Sequence, residues 1–343
     1  MKINVCNAFT SRFAINHMLS LPDFREKQIL FVSAGDIDVD KIKIANDNIC
    51  LCKNGKIENQ ISCHKVFCVF IIGECSFTSV MIRNCKRYGV SVFLCNRNFL
   101  AYARIISTAE GNYLLREKQY SWNETSELEM AKKLVLNKIE NQVELLLEQK
   151  MTKSPASLKD IKLKVTEAKK GKDLLGLEGS ASKFFFQEYF SEMGWKRRLP
   201  RAKTDVSNVL LDIGYTMLFN FIDGMAGIYG FDSYKGFYHR LFFQRKSLVC
   251  DLIEPFRCII DKAIVKAYHL GQIDEDDFKE RAGKRELGWN RQEKYLALFA
   301  QAILDHREEI YCYVRDFYYC VMNDSDFPKF SLKQPKNKRG TAK

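Results

Sequence analysis

The sequence predicts an α+β protein in which a mainly β N-terminal domain, residues 1–108, precedes an all-α domain, residues 109–328. Short runs of β-branched and aromatic residues fill the first hundred positions, whereas from about residue 110 the apolar residues recur at helical spacing. The 343 residues, 46% of them hydrophobic, can bury a sizeable core and favour two domains over one.

In the first part, 29–32, 66–72 and 90–94 read as strands, with Asn54-Gly55 among the turn signals. Residues 77–88 are spaced as a helix that Gly89 ends, so one helix should pack on the sheet. In 126–150, apolar residues from Leu128 to Leu147 recur as on one helix face. The lysine-rich 151–172 contains Ser154-Pro155 and reads as a loop with a solvated helix, or else as a basic face near a ligand. Further helices are expected at 176–190, 204–227, 247–268 and 291–321. The tail, 329–343, has six Lys/Arg, no acidic residue and Pro335, the composition of a disordered segment that either solubilises or touches phosphate.

The 54 Lys+Arg against 42 Asp+Glu give a net charge of +12, which favours an anionic partner, nucleic acid first. No stretch approaches about 20 consecutive apolar residues and residues 1–5 open no signal peptide, so a cytoplasmic protein without a membrane span is expected. The twelve cysteines include no CxxC pair, so they read as small hydrophobes and not as zinc ligands or disulfides.

Three segments hold residues suited to chemistry. Glu178 sits among small residues, Gly176, Gly179 and Ser180, which leave room for a phosphate. Taken alone it reads as a first-turn helix acid, and Gly179 as a close-packing site. His239, one of five histidines, lies beside Arg240 in an aromatic run, where a histidine is ordinarily a packing residue. In the third segment Asp251 and Glu254 are three apart and would share a helix face, with Leu252, Phe256, Ile259 and Ala263 on the buried one. Paired acids repel unless a cation or proton neutralises them, although Arg257 offers a plain salt bridge. Pro255 should kink the helix at the carboxylates. Hard carboxylate oxygens with one imidazole suit Mg2+ or Mn2+, ions that activate an oxygen nucleophile and neutralise charge on a phosphate.

The series Leu177-Glu178-Gly179, Tyr189-Phe190, Asn208, Gly214-Tyr215, Gly230-Phe231-Asp232, Gly236-Phe237-Tyr238-His239 and Asp251-Leu252-Ile253-Glu254-Pro255-Phe256-Arg257 resembles, in order and spacing over 170–262, the nuclease subunit of the CRISPR-associated spacer integrase. The resemblance implies an N-terminal β domain used in dimerisation and a helical catalytic domain. It implies a Mg2+ or Mn2+ ion on Glu178, His239 and Glu254, the catalytic residues. Asp251 matches a nearby acid that would be a ligand, a group behind the ligands or a DNA contact. The implied reaction inserts a foreign double-stranded DNA fragment into a CRISPR repeat array, its 3′-hydroxyl attacking a repeat phosphodiester, as antiviral defence. The implied assembly is a homodimer joined to a small ferredoxin-like CRISPR-associated partner. Lys196, Arg197, Arg198, Arg201 and Lys203 form a basic cluster between catalytic segments, either a solvated loop or a DNA-backbone contact. A mobile-element integrase and a branched-DNA repair nuclease are the alternatives, and a catalytically silent DNA-binding scaffold is a third.

Overall fold

The computed structural model describes residues 21–35, 39–96, 99–107, 112–151, 154–200, 202–239, 242–281, 283–288 and 291–333, with 154–157 as backbone only. The expectations for residues 1–5, Arg201, Arg240 and 334–343 lie outside the described residues. A short helix, α1 (Leu21–Glu26), leads into the strands β1 (Gln28–Ala34), β2 (Lys41–Ala45), β3 (Asn48–Lys53), β4 (Lys56–Ser62), β5 (Val66–Gly73), β6 (Ser91–Cys95) and β7 (Ala101–Ile105). One sheet has the order β1-β5-β6-β7, parallel except for its antiparallel β6-β7 edge, and the other is the antiparallel meander β2-β3-β4.

Strand β5 is buried at every position, because β1 and β6 flank it and both faces of its sheet are covered. Its alternating side chains divide accordingly. Val69 and Ile71 join Ile42, Ile49, Met81 and Cys85 in a small core under the second sheet and α2 (Ser79–Arg87), whose first turn is capped by Thr78. Phe70 and Ile72 face the other way, with Phe93, into the large core made by the helices. The β part therefore shares its main core with the helical part.

The helices α3 (Tyr113–Tyr120), α4 (Glu124–Glu148), α5 (Ser154–Glu167), α6 (Gly171–Tyr189) and α7 (Val206–Tyr229) follow. α4 starts at a capping box in which Asn123 and Ser126 satisfy each other's backbone N–H groups. α7 is the central rod, long and apolar, with most of its residues buried inside the protein. It lies so close to the sheet that a Cβ at Gly224 would sit 2.8 Å from the Phe93 ring. Beyond it come α8 (Ser247–Leu252), α9 (Arg257–His269), the hairpin β8 (Phe278–Arg281) and β9 (Lys284–Leu287), α10 (Gln292–Asp305) and α11 (Arg307–Asn323).

Several expectations are corrected here. The second part is helical as expected, with one small addition, the hairpin of β8 and β9, which turns on Gly283, whose φ of +73° suits a tight turn. Residues 291–321 form two helices that break at His306 (φ −113°, ψ 14°), and 247–268 is interrupted at Glu254–Phe256 by a 3-10 turn. Within the expected tail, residues 329–333 are ordered. Phe330 and Leu332 are buried, and their backbone N–H groups donate to the side chains of Asn137 and Asn141 on α4, each at 2.9 Å. The cysteines among the described residues are free thiols, and burial pushes Cys85 and Cys95 up to about 12, consistent with packing roles.

Candidate active site

Three elements meet around one lysine. α4 presents Lys138, 8% exposed, from the middle of its buried face; α6 presents Glu178; and the 3-10 turn between α8 and α9 presents Glu254. The Lys138 ammonium donates to Glu178 Oε1 and lies 2.7 Å from Glu254 Oε2. That second contact is an ion pair, and Glu254 Oε2 is otherwise buried without a hydrogen-bond partner among the described residues. Burial alone would raise the Glu254 pKa and lower that of Lys138. The facing charges outweigh it, holding Glu254 at about 2 through Arg257, Lys138 and His239, and Lys138 above its ordinary value. Arg257 Nη2 completes the array, 3.0 Å from Glu254 Oε1.

Glu178 is not a first-turn acid. α6 begins at Gly171, so Glu178 lies mid-helix, where Ser182 one turn on donates to its Oε1 at 2.9 Å. Nor is Gly179 a packing site, since a Cβ there would meet nothing within 4 Å. The face beside Glu178 is open.

Asp251 and Glu254 do not point the same way, because the helix that would have aligned them ends at Leu252. Asp251 is fully buried and already engaged. Its Oδ2 accepts from the backbone N–H of Phe237 (2.7 Å) and Tyr238 (3.1 Å), and its Oδ1 from that of His239 (2.8 Å) while touching His239 Nδ1 at 2.6 Å. The loop can wrap a carboxylate so tightly because residue 236 is glycine: a Cβ there would lie 2.5 Å from Asp251 Oδ2. Asp251 thus fixes the imidazole by one nitrogen and leaves Nε2 as the outward atom. The buried Gln119 of α3 anchors the other end of this loop, donating to the carbonyls of Asp232 (2.8 Å) and Lys235 (2.6 Å).

Glu178, Lys138 and Glu254 line a cavity of about 410 Å³ that continues past Arg257 to Arg198 and Tyr215. Deep in it, Asp261 accepts from Tyr215 Oη at 2.5 Å, and burial pushes its carboxyl up to about 7. The basic cluster divides. Lys196 and Arg197 are exposed, Arg198 turns inward to Asp212 (2.5 Å) and Asn208 (2.8 Å), and the Lys203 carbonyl accepts from Arg285 N–H at 2.7 Å. Asn208 organises the loop, its amide also donating to the Arg197 carbonyl at 3.0 Å, and Asp205 caps α7.

As the side chains stand, no three His, Cys, Asp or Glu groups among the described residues converge tightly enough to hold a metal ion. Lys138 went unnoticed in the sequence, although it occupies the apolar stripe of α4 between Leu134 and Leu145, where a cation needs a partner. Tyr238, beside the histidine in the same motif, has a hydroxyl buried with no hydrogen-bond partner among the described residues.

The profile of the family "CRISPR associated protein Cas1" matches residues 38–301. The CRISPR-associated endonuclease Cas1 1 of Thermodesulfovibrio yellowstonii is 27% identical over 297 residues, covering 81% of this chain and 92% of that protein. Among solved structures, a Cas6-RT-Cas1–Cas2 complex aligns with a TM-score of 0.75 at 23% identity, over 90% of this chain and 36% of its own. A casposase bound to integration product aligns with a TM-score of 0.75 at 18% identity, over 89% of this chain and 93% of its own. The family match spans most of the chain and includes the segments that build the Lys138 cluster and the Asp251–His239 pair; the chain belongs to the CRISPR-associated Cas1 family.

Proposed function

We propose that the chain is a metal-dependent DNA endonuclease and integrase that inserts foreign DNA fragments into a CRISPR repeat array in the cytoplasm. The observation that carries this is the meeting of Glu178 and Glu254 on one cation at the mouth of an arginine-lined cavity, beside a histidine oriented by a buried acid. The donor set fits a divalent cation: two hard carboxylates, a buried Glu254 oxygen without a hydrogen bond, and an imidazole with one nitrogen to spare. Glu178, His239 and Glu254 would hold Mg2+ or Mn2+, which when bound polarises the phosphate and favours the attacking oxygen.

The chain's own residues do the rest. Asp251 keeps His239 aimed, the open face at Gly179 admits the strand, and Arg257 faces the phosphate charge from the cavity wall. Exposed Lys196 and Arg197 grip the DNA backbone outside. A homodimer through the β part is supported by β4, an exposed strand paired on one side only, and the Cas2-containing relative supports a small ferredoxin-like partner. A labelled fragment with a free 3′-hydroxyl should join repeat DNA in Mg2+ or Mn2+ and not in chelator. Chelator-insensitive joining would overturn the metal, and the absence of joining with the partner present would overturn the reaction.

A further inference from the structure

Lys138 occupies the space between Glu178 and Glu254 that a divalent cation bound to both would need. Its ammonium donates to one carboxylate and lies 2.7 Å from the other, and the side chain is only 10% exposed. Two carboxylates brought this close with little water repel strongly unless a positive charge sits between them. Arg257 cannot do this alone, since its guanidinium pairs with Glu254 at 3.0 Å and stacks 4.5 Å above the Tyr215 ring. The lysine is not a snorkelling surface residue, because it rises from the same buried face of α4 as Asn137, Asn141 and Gln142. Asn137 and Asn141 fix that face by clamping residues 330–332, so the aim of Lys138 is set by the core.

We infer that Lys138 is a positioning residue that doubles as the metal's built-in rival: it holds Glu178 and Glu254 in register in the metal-free protein, and the divalent ion must displace it into the adjoining cavity. The ion then binds more weakly than the carboxylates alone would allow, and the displaced ammonium lies free in the cavity to face a DNA phosphate. This rests on the reading of Glu178 and Glu254 as metal ligands.

The test is Mn2+ titration, followed by electron paramagnetic resonance, of the full chain as wild type, Lys138→Met, Lys138→Arg and Glu254→Gln. Lys138→Met should bind Mn2+ about tenfold more tightly or better, have a lower thermal midpoint without metal, gain more midpoint on adding metal, and join DNA more slowly. Lys138→Arg should keep the weak wild-type affinity. Unchanged or weaker Mn2+ binding by folded Lys138→Met overturns the rivalry. Unchanged binding by Glu254→Gln overturns the ligand reading beneath it, so the two failures are distinguishable. Should Lys138→Met not fold, reductive methylation of the wild type decides: Lys138 should resist labelling without metal and become labelled at saturating Mg2+, and unchanged labelling overturns the displacement.

Discussion

Which residues carry function is decided by direction more than by identity. Glu254 and His239 stand out as candidates in the sequence because a histidine motif and a Pro-interrupted acidic helix are unusual strings. Asp251 looked equivalent to Glu254, since three-residue spacing on a continuous helix implies one face. The helix ends at Leu252 and sends Asp251 to the 237–239 backbone. Asp251→Asn should therefore weaken Mn2+ binding about 10–100-fold, the range for a group that orients a metal-bound histidine, and lower the thermal midpoint. Full Mn2+ affinity in a folded variant would refute the orienting role. Asp261 makes a separate pH prediction. Its folded carboxyl holds a proton to about 7, whereas the unfolded chain releases it near 3.8. Between those values the native state binds more protons, so stability falls as pH rises, by up to about 1.4 kcal/mol per pH unit. Glu254, held at about 2, acts in the opposite sense below 4.5 and does not mask this. Urea unfolding from pH 4.5 to 7.5 should show that slope removed in Asp261→Asn; parallel pH profiles would contradict it.

At the scale of elements, strand and helix order was readable from periodicity, but breaks without Gly or Pro were not. His306 splits the last helical run with no local signal, and the β8–β9 hairpin hides in a charged stretch whose pairing is not apolar. Pro255 did mark a break, though not a kink in a continuous helix. It opens a 3-10 turn, where proline is well tolerated, so the roughly 3 kcal/mol cost of a helix-interior proline does not arise. Pro255→Ala should accordingly bring no gain in thermal stability, and a marked gain would restore the kinked-helix account. α6 offers the contrasting case. Gly179 stands mid-helix with open space where its Cβ would be, so Gly179→Ala should stabilise the protein by about 0.5–1 kcal/mol. If the strand passes this face, the same change should slow joining; normal joining would remove the strand from it.

Over the whole molecule, the charge balance pointed to an anionic partner, but not which lysines and arginines face it. Arg198 belongs to an internal network with Asp212 and Asn208, a role fixed by tertiary contacts that no local pattern encodes. The same holds for the end of the chain, whose basic composition masked two buried anchors, Phe330 and Leu332. Truncation after Pro328 should cost about 3 kcal/mol or more from their lost burial and reduce joining, by loosening the α4 face that aims Lys138. Truncation after Lys333 keeps both anchors and should unfold at a higher midpoint than truncation after Pro328. Equal midpoints for the two truncations would show that residues 329–333 hold nothing together. The central claim is that Glu178, His239 and Glu254 form one metal-dependent strand-joining centre. Its most direct test is the rate at which a labelled fragment joins repeat DNA, measured across a Mn2+ titration for folded Glu178→Ala, His239→Ala and Glu254→Ala beside wild type. The expected result is loss of joining in all three at every Mn2+ concentration, with DNA affinity retained through the distributed phosphate contacts; wild-type joining by any one of them at limiting Mn2+ would contradict it.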